Sequence, residues 1–224
     1  MTQLPDRDAV ERPRLSQAVV LSEAVSLADR EGLAAVTIRR LAKDLGVTPM
    51  ALYWHFRDKG LLMAALGDRI LGEVDLAVDG RARWSEQFHR VLTALVTALR
   101  KHPWAGALIT SSACESPGYL AALEKVLAIL RGAGFSAKEA TDISRHALST
   151  VMSLVANQPG NASPAQTEEV RRYYEALPRE RYPHVVEAAG PLTTCEDQDS
   201  HYEFGLDLMV AGVVAMAPRP RTRR

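Results

Sequence analysis

Cysteine is nearly missing from this 224-residue chain: there are two, Cys114 and Cys195, with no CxxC spacing and no paired histidines nearby. That excludes a disulfide framework and a Cys/His zinc site, and it fits a reducing compartment. Aromatic residues are scarce at 6%, and the net charge is formally zero, so a nucleic-acid partner has to be met by a local patch and not by bulk charge. The longest apolar run, near the C-terminus, is interrupted by Asp207 and falls short of the ~20 residues that span a bilayer. The opening MTQLPDRD lacks the basic-then-apolar order of a secretion signal. These gaps predict a cytoplasmic protein with no membrane partner. GxSxG, HExxH, GxGxxG and phosphate-loop patterns are also missing, so nothing gathers the six histidines into a catalytic set. No enzyme, cofactor or metal site is expected.

What is present reads with a helical period. Hydrophobic residues make up 47% of the chain, enough for a sizeable core, and the alternation of a half-buried strand is missing. The expected class is all-α. Ser16 caps a first helix with Val20, Ala24, Leu27 and Ala28 on one face, and Gly32 stops it. Thr37 caps IRRLAKDL, Gly46 breaks it, and Thr48-Pro49 opens another helix as N-cap and first residue. Longer periodic segments follow at 58–78 and 84–101, with further starts at Ser116-Pro117, Ser136/Glu139, Ser163/Gln166 and Ser200/Glu203. Gly134 and Gln158-Pro159-Gly160 are the matching stops. About nine or ten helices are predicted, with a less regular zone at 178–199. The domain reading is a mobile arm at 1–14, a helix-turn-helix head at 15–60, a larger core at 61–217 and a basic disordered tail at 218–224.

The stretch GVTPMALYWHF, 46–56, concentrates the scarce aromatics. A helix entering a major groove about 12 Å wide needs a compact leading turn and flanking phosphate partners. Thr48 offers a hydroxyl; Pro49, Met50 and Ala51 are compact or flexible apolar groups; Tyr53, Trp54 and His55 carry donors on flat bodies. Leu52 and Phe56, four apart, fall on the opposite side and anchor the helix inward. Between Leu33 and Gly60, five basic residues (Arg39, Arg40, Lys43, Arg57, Lys59) face two acidic ones, a local excess suited to an anionic polymer. Ordinary core aromatics beside a solvated charged face would give a similar composition.

The run TIRRLAKDLGVTPMALYWHFRDKGLLMAAL resembles the DNA-binding domain of the TetR family of regulators, in the branch of the tetracycline repressors. WSEQFHRVLTALVTALRKHPWAGALI, GFSAKEATDISRHAL and YEFGLDLMVAGVVAM are similar to that branch's ligand-binding and dimerisation core, so the likeness covers about residues 15–217. The resemblance implies base reading or positioning by Arg39 and by Thr48, Pro49, Met50 and Ala51. It implies backbone contacts from Thr37, Tyr53, Trp54, His55 and Lys59. Double-stranded DNA with a palindromic operator is the implied partner, and a homodimer the implied assembly. The tip residues Pro49, Met50 and Ala51 replace more polar ones, so an operator sequence does not carry over.

Two helices are expected to pair the subunits, with Ile143, Ala147 and Thr150 on the earlier one and Gly205, Leu208, Met209, Gly212 and Met216 on the last. A small-molecule effector is expected in a pocket lined by Phe88, Val91, Leu95, Trp104, Leu108, Ile109 and Met152, with Ser112 as a polar fixture. The branch's magnesium-binding histidine aligns with Ile109, whose hydrocarbon side chain offers Mg²⁺ no oxygen. A largely apolar effector is therefore predicted, for a repressor released from DNA by its ligand. An activator with the same head, or a helical binding module without DNA affinity, are the alternatives.

Overall fold

A computed structural model describes residues 15–112, 116–157, 163–194 and 197–218. The expected arm at 1–14, residues 219–224 of the tail, the stop at 158–160 and both cysteines lie outside the described residues.

Helix α1, Gln17–Glu31, starts where the Ser16 hydroxyl accepts the Val19 amide and ends at Gly32, burying Val20, Ala24, Leu27 and Ala28. After a 3-10 turn at Leu33–Ala35 comes α2, Ile38–Leu45, whose first-turn donor from Arg40 is held by Thr37. Gly46 closes α2 in the left-handed region at φ +67°, where a Cβ would be strained. The chain reverses there into α3, Pro49–Tyr53, capped by Thr48.

Asp58 caps α4, Lys59–Leu71. The periodic stretch 58–78 had suggested a longer helix, and the difference has a packing cause. Gly72, the poorest helix former after proline, ends α4. Val74 is then buried, and Leu76 and Val78 pack on the core from a non-helical connection. Their apolar period came from burial without helix.

The rest is helical: α5 (Trp84–Lys101), α6 (Ala105–Ser112), α7 (Pro117–Gly132), α8 (Ala137–Ala156), α9 (Pro164–Glu175), α10 (Pro183–Glu187), α11 (Ala189–Thr193) and α12 (Gln198–Ala215). Reciprocal capping boxes start α8 at Ser136/Glu139 and α9 at Ser163/Gln166. The last helix begins earlier than Ser200/Glu203 predicts, because Asp197 accepts the amides of Asp199 and Ser200 and the Ser200 hydroxyl as well. The two extra helices of the 178–199 zone are five residues each, too short to show a period. Helices α9, α10 and α11 pack chiefly on one another.

Two clusters of buried side chains organise these helices. One joins α1, α2, α3, the first half of α4 and Leu108 of α6. The other joins the end of α4 to α5, α7, α8 and α12. Helix α4 belongs to both, so a boundary at residue 60 cuts into the element that connects the head to the core.

Candidate nucleic-acid interface and effector cavity

The face of α3 splits as a groove-entering element requires. Leu52 is fully buried and Phe56 nearly so, both in the head cluster, and they fix the helix by burial of ~1.5–3 kcal/mol per large side chain. On the other side Thr48, Pro49 and Met50 are exposed, Ala51 half-buried, Tyr53 exposed, and Trp54 presents 86% of its surface. His55 is half-buried, with its carbonyl accepting from the Gln17 side chain at 3.1 Å. With only five residues, α3 has too short a dipole to matter much at its N-terminus. Thr48 accepts the Ala51 amide at 3.3 Å, which leaves its O–H proton to donate outward. Thr37 is half-buried and committed as a cap in the same way.

The charges around this face divide into two kinds. Arg40 is clamped by Glu31 at 2.5 Å and by Asp44 at 2.8 Å; these carboxylates hold its guanidinium pKa up, and Arg40 holds Glu31 below the ordinary carboxylate value. Its charge is internal to the head. Arg39, Lys43, Arg57 and Lys59 are exposed and make no ion pair among the described residues, and they remain available to phosphates or bases.

Behind the head, the start of α6 is tied to α1. Asp29 accepts from Trp104 Nε1 at 2.7 Å and faces His102 Nδ1 at 2.8 Å. Leu108 of α6 sits in the head cluster, and a Cβ on Gly67 of α4 would lie 3.3 Å from its own Cβ. Trp104 and Leu108 are therefore joint residues between head and core, where the sequence had suggested pocket lining.

A cavity of about 180 Å³ opens among α5, α7, α8 and the segment after α4. Of the expected lining, Val91 and Leu95 are in its wall. Phe88 and Ile109 are sealed in the core, and Met152 packs against that core outside the cavity's lining. The Ser112 side chain lies outside the described residues. Sequence reasoning missed Leu71, Val74, Tyr119, Leu123, Val126, Ser144 and Arg145. The i, i+4, i+7 spacing of 119, 123 and 126 was the available signal on α7. Asp68 of α4 accepts from the Ser116 hydroxyl at 2.5 Å and the Gly118 amide at 2.7 Å, which fastens α4 to α7 close in sequence to the cavity's Leu71 and Tyr119. A second, open concavity of about 1080 Å³ runs between α5 and α12, with His89 Nε2 3.2 Å from Asp207.

The expected pairing residues differ in what they meet. Ile143 and Ala147 are buried in the chain's own core, and Ala147 lines the cavity, so neither presents its side chain on the surface of the subunit. Thr150 is half-buried and its hydroxyl donates to Met209 sulfur at 3.7 Å. Gly205 is half-buried against α8, where a Cβ would come within 2.6 Å of Leu154 Cδ2. Leu208 and Met216 are exposed, and a Cβ on Gly212 would meet nothing within 4 Å. With Phe204 they leave an apolar stripe open along α12, whereas Val214 lines the concavity against α5.

Comparison with known proteins supplies the context. The family model "Bacterial regulatory proteins, tetR family" matches residues 20–66, and "Tetracyclin repressor-like, C-terminal domain" matches 77–217. An HTH-type transcriptional regulator of Saccharopolyspora erythraea is 29% identical over 95% of this chain and 90% of its own length. The structure of the TetR family protein ActR of Streptomyces coelicolor in complex with (S)-DNPA superposes with a TM-score of 0.80 at 27% identity, covering 91% of this chain and 98% of that one. BioQ with its double-stranded DNA operator superposes with a TM-score of 0.63 at 27% identity, covering 90% and 99%. The matches cover both the helix-turn-helix head and the all-α core, and the chain belongs to the TetR family of DNA-binding transcriptional regulators and is not an enzyme.

Proposed function

We propose that the protein is a cytoplasmic repressor that binds a palindromic operator as a homodimer and is released by a small, largely apolar effector. The observation that carries the reading is the division of α3, with Leu52 and Phe56 buried while Met50, Tyr53 and Trp54 stand out beside four free cations. Thr48, Pro49, Met50, Ala51 and Arg39 are assigned to the bases; Thr37, Tyr53, Trp54, His55 and Lys59 to the backbone. Operator symmetry requires two heads about 34 Å apart or a multiple of that. The exposed stripe of α12, with Leu208, Gly212 and Met216, is the proposed seam between subunits, and a twofold axis makes it meet itself.

The effector is assigned to the cavity among α5, α7 and α8. Leu71 and Val74 place the end of α4 in its wall, and α4 also carries the head cluster's Leu62 and Leu66. A ligand that binds better when α4 has swung lowers operator affinity by that difference in affinity and no more. ActR with (S)-DNPA and BioQ with its operator show both partner classes among structural relatives.

Selection of bound duplexes from a random pool tests the proposal, with Arg39→Ala alongside. A palindromic consensus is expected, blurred at one position per half-site in the variant. A pool without enrichment would sink it. An activator would give the same consensus, and the position of the site relative to a promoter distinguishes the two.

A further inference from the structure

The lining of the effector cavity is asymmetric in charge and in hydrogen-bonding sense. Among its fifteen lining residues none is Asp or Glu, and one, Arg145 of α8, is cationic. The Thr141 hydroxyl donates to the Ala137 carbonyl and the Ser144 hydroxyl to the Ala140 carbonyl, at 2.8 and 2.7 Å. Their protons are committed, so both oxygens meet a ligand as acceptors only. The Tyr119 hydroxyl makes no hydrogen bond among the described residues. Donors toward a ligand thus come from Tyr119 and Arg145 alone.

Arg145 lines the cavity with its side chain 73% exposed to solvent, and Asp142, at 3.6 Å, is outside the lining. Asp142 is engaged more closely by Lys138 at 2.7 Å, and the guanidinium keeps donors for a second anion. A cationic ligand would face this arginine with no carboxylate in the wall to offset it. A neutral apolar ligand would leave the Arg145 and Tyr119 donors unused. The volume, about 180 Å³, is close to the ~150 Å³ apolar cavity that admits a benzene ring.

Resting on the reading of this cavity as the effector site, we propose that its ligand is a small aromatic acid. Its ring lies among Leu71, Val91, Leu95 and Val126, and its carboxylate lies at Arg145 and Tyr119. A hydroxyl beside the carboxylate would donate to Thr141 or Ser144, which sit one helical turn or less from Arg145 on the same helix.

The test is titration calorimetry of the full chain with salicylate, salicylamide and 2-hydroxybenzylamine, which differ in charge on one frame. Salicylate is expected to bind roughly tenfold more tightly than the amide, as a charge-assisted contact gives, with the amine weakest. Arg145→Gln, a substitution at an exposed side chain, should erase the preference of acid over amide. Ala122→Phe, which places a ring inside the cavity wall, should abolish binding of all three. If the amide binds as tightly as the acid and both are lost in Ala122→Phe, the acid class is overturned while the cavity stands as the effector site. Binding that survives Ala122→Phe, or no binding by any of the three, overturns both.

Discussion

At the scale of single residues, neighbouring arginines of the head have opposite roles. Arg39 is exposed and unpaired among the described residues, whereas Arg40 is clamped between α1 and α2 by Glu31 and Asp44. Arg39→Ala is expected to weaken operator binding by about 1–3 kcal/mol and to relax sequence preference at one position per half-site, measured by titration against the selected duplex and its single-base variants. The clamp gives a pH signature instead. Glu31 has its pKa lowered, first by the hydrogen bond from Arg40, so its contribution is present above the unfolded value near 4.5 and is lost as pH falls through the folded one. The urea midpoints of the natural protein and Glu31→Gln should differ at pH 7 and converge below pH 4.5; a constant gap would show that the pair does not matter. Ile109, where a magnesium ligand would stand by alignment, is a buried hydrocarbon. Mg²⁺-tetracycline is therefore expected to give no binding heat, and tight binding would refute that assignment.

The elements show what side-chain identity alone leaves ambiguous. Gly205 and Gly212 are two turns apart on α12 and look alike in sequence. A Cβ at Gly205 runs into Leu154 of α8, while one at Gly212 enters open space. Gly205→Ala has to displace the Leu154 side chain, and its overpacking cost of about 1–3 kcal/mol is offset by up to ~1 kcal/mol of helix propensity, leaving a smaller net destabilisation. Gly212→Ala should gain up to ~1 kcal/mol of helix propensity in the isolated subunit, while raising the dimer dissociation constant if the seam passes there. Thermal midpoints at low concentration and sedimentation at high concentration separate these effects. Caps behaved differently from faces. Ser16, Thr37, Thr48, Ser116, Ser136 and Ser163 all cap the helices that their spacing predicts, because a cap is a contact between residues three apart. The overlong reading of α4 arose because burial of Val74 and its neighbours imitates a helical period without the helix.

At the scale of the molecule, zero net charge hides a local field. Each head leaves Lys43, Arg57 and Lys59 free for phosphates beside the base-reading Arg39, so a dimer on DNA is expected to show a slope of about −5 in log affinity against log salt. Lys43→Ala should make the slope shallower by about 2 per dimer, and a slope near zero would mean that these three cations do not meet phosphates. Communication between sites is a matter of the whole chain as well. Helix α4 lies in both clusters, Asp68 fastens it to α7, and Asp29 fastens α1 to the start of α6. Those contacts span 50 and 75 residues of sequence.

The sequence by itself determined the helical class, most helix starts, the reversal at Gly46 and the two-sided character of α3, because each depends on residues within a few positions of one another. Only the tertiary structure decided which apolar residues line the cavity, that Trp104 and Leu108 join head to core, that Ile143 and Ala147 point inward and that Gly205 packs on α8. Helical periodicity marks which side of a helix avoids water but not what that side meets, and a cavity, a joint and a subunit seam all present the same apolar stripe.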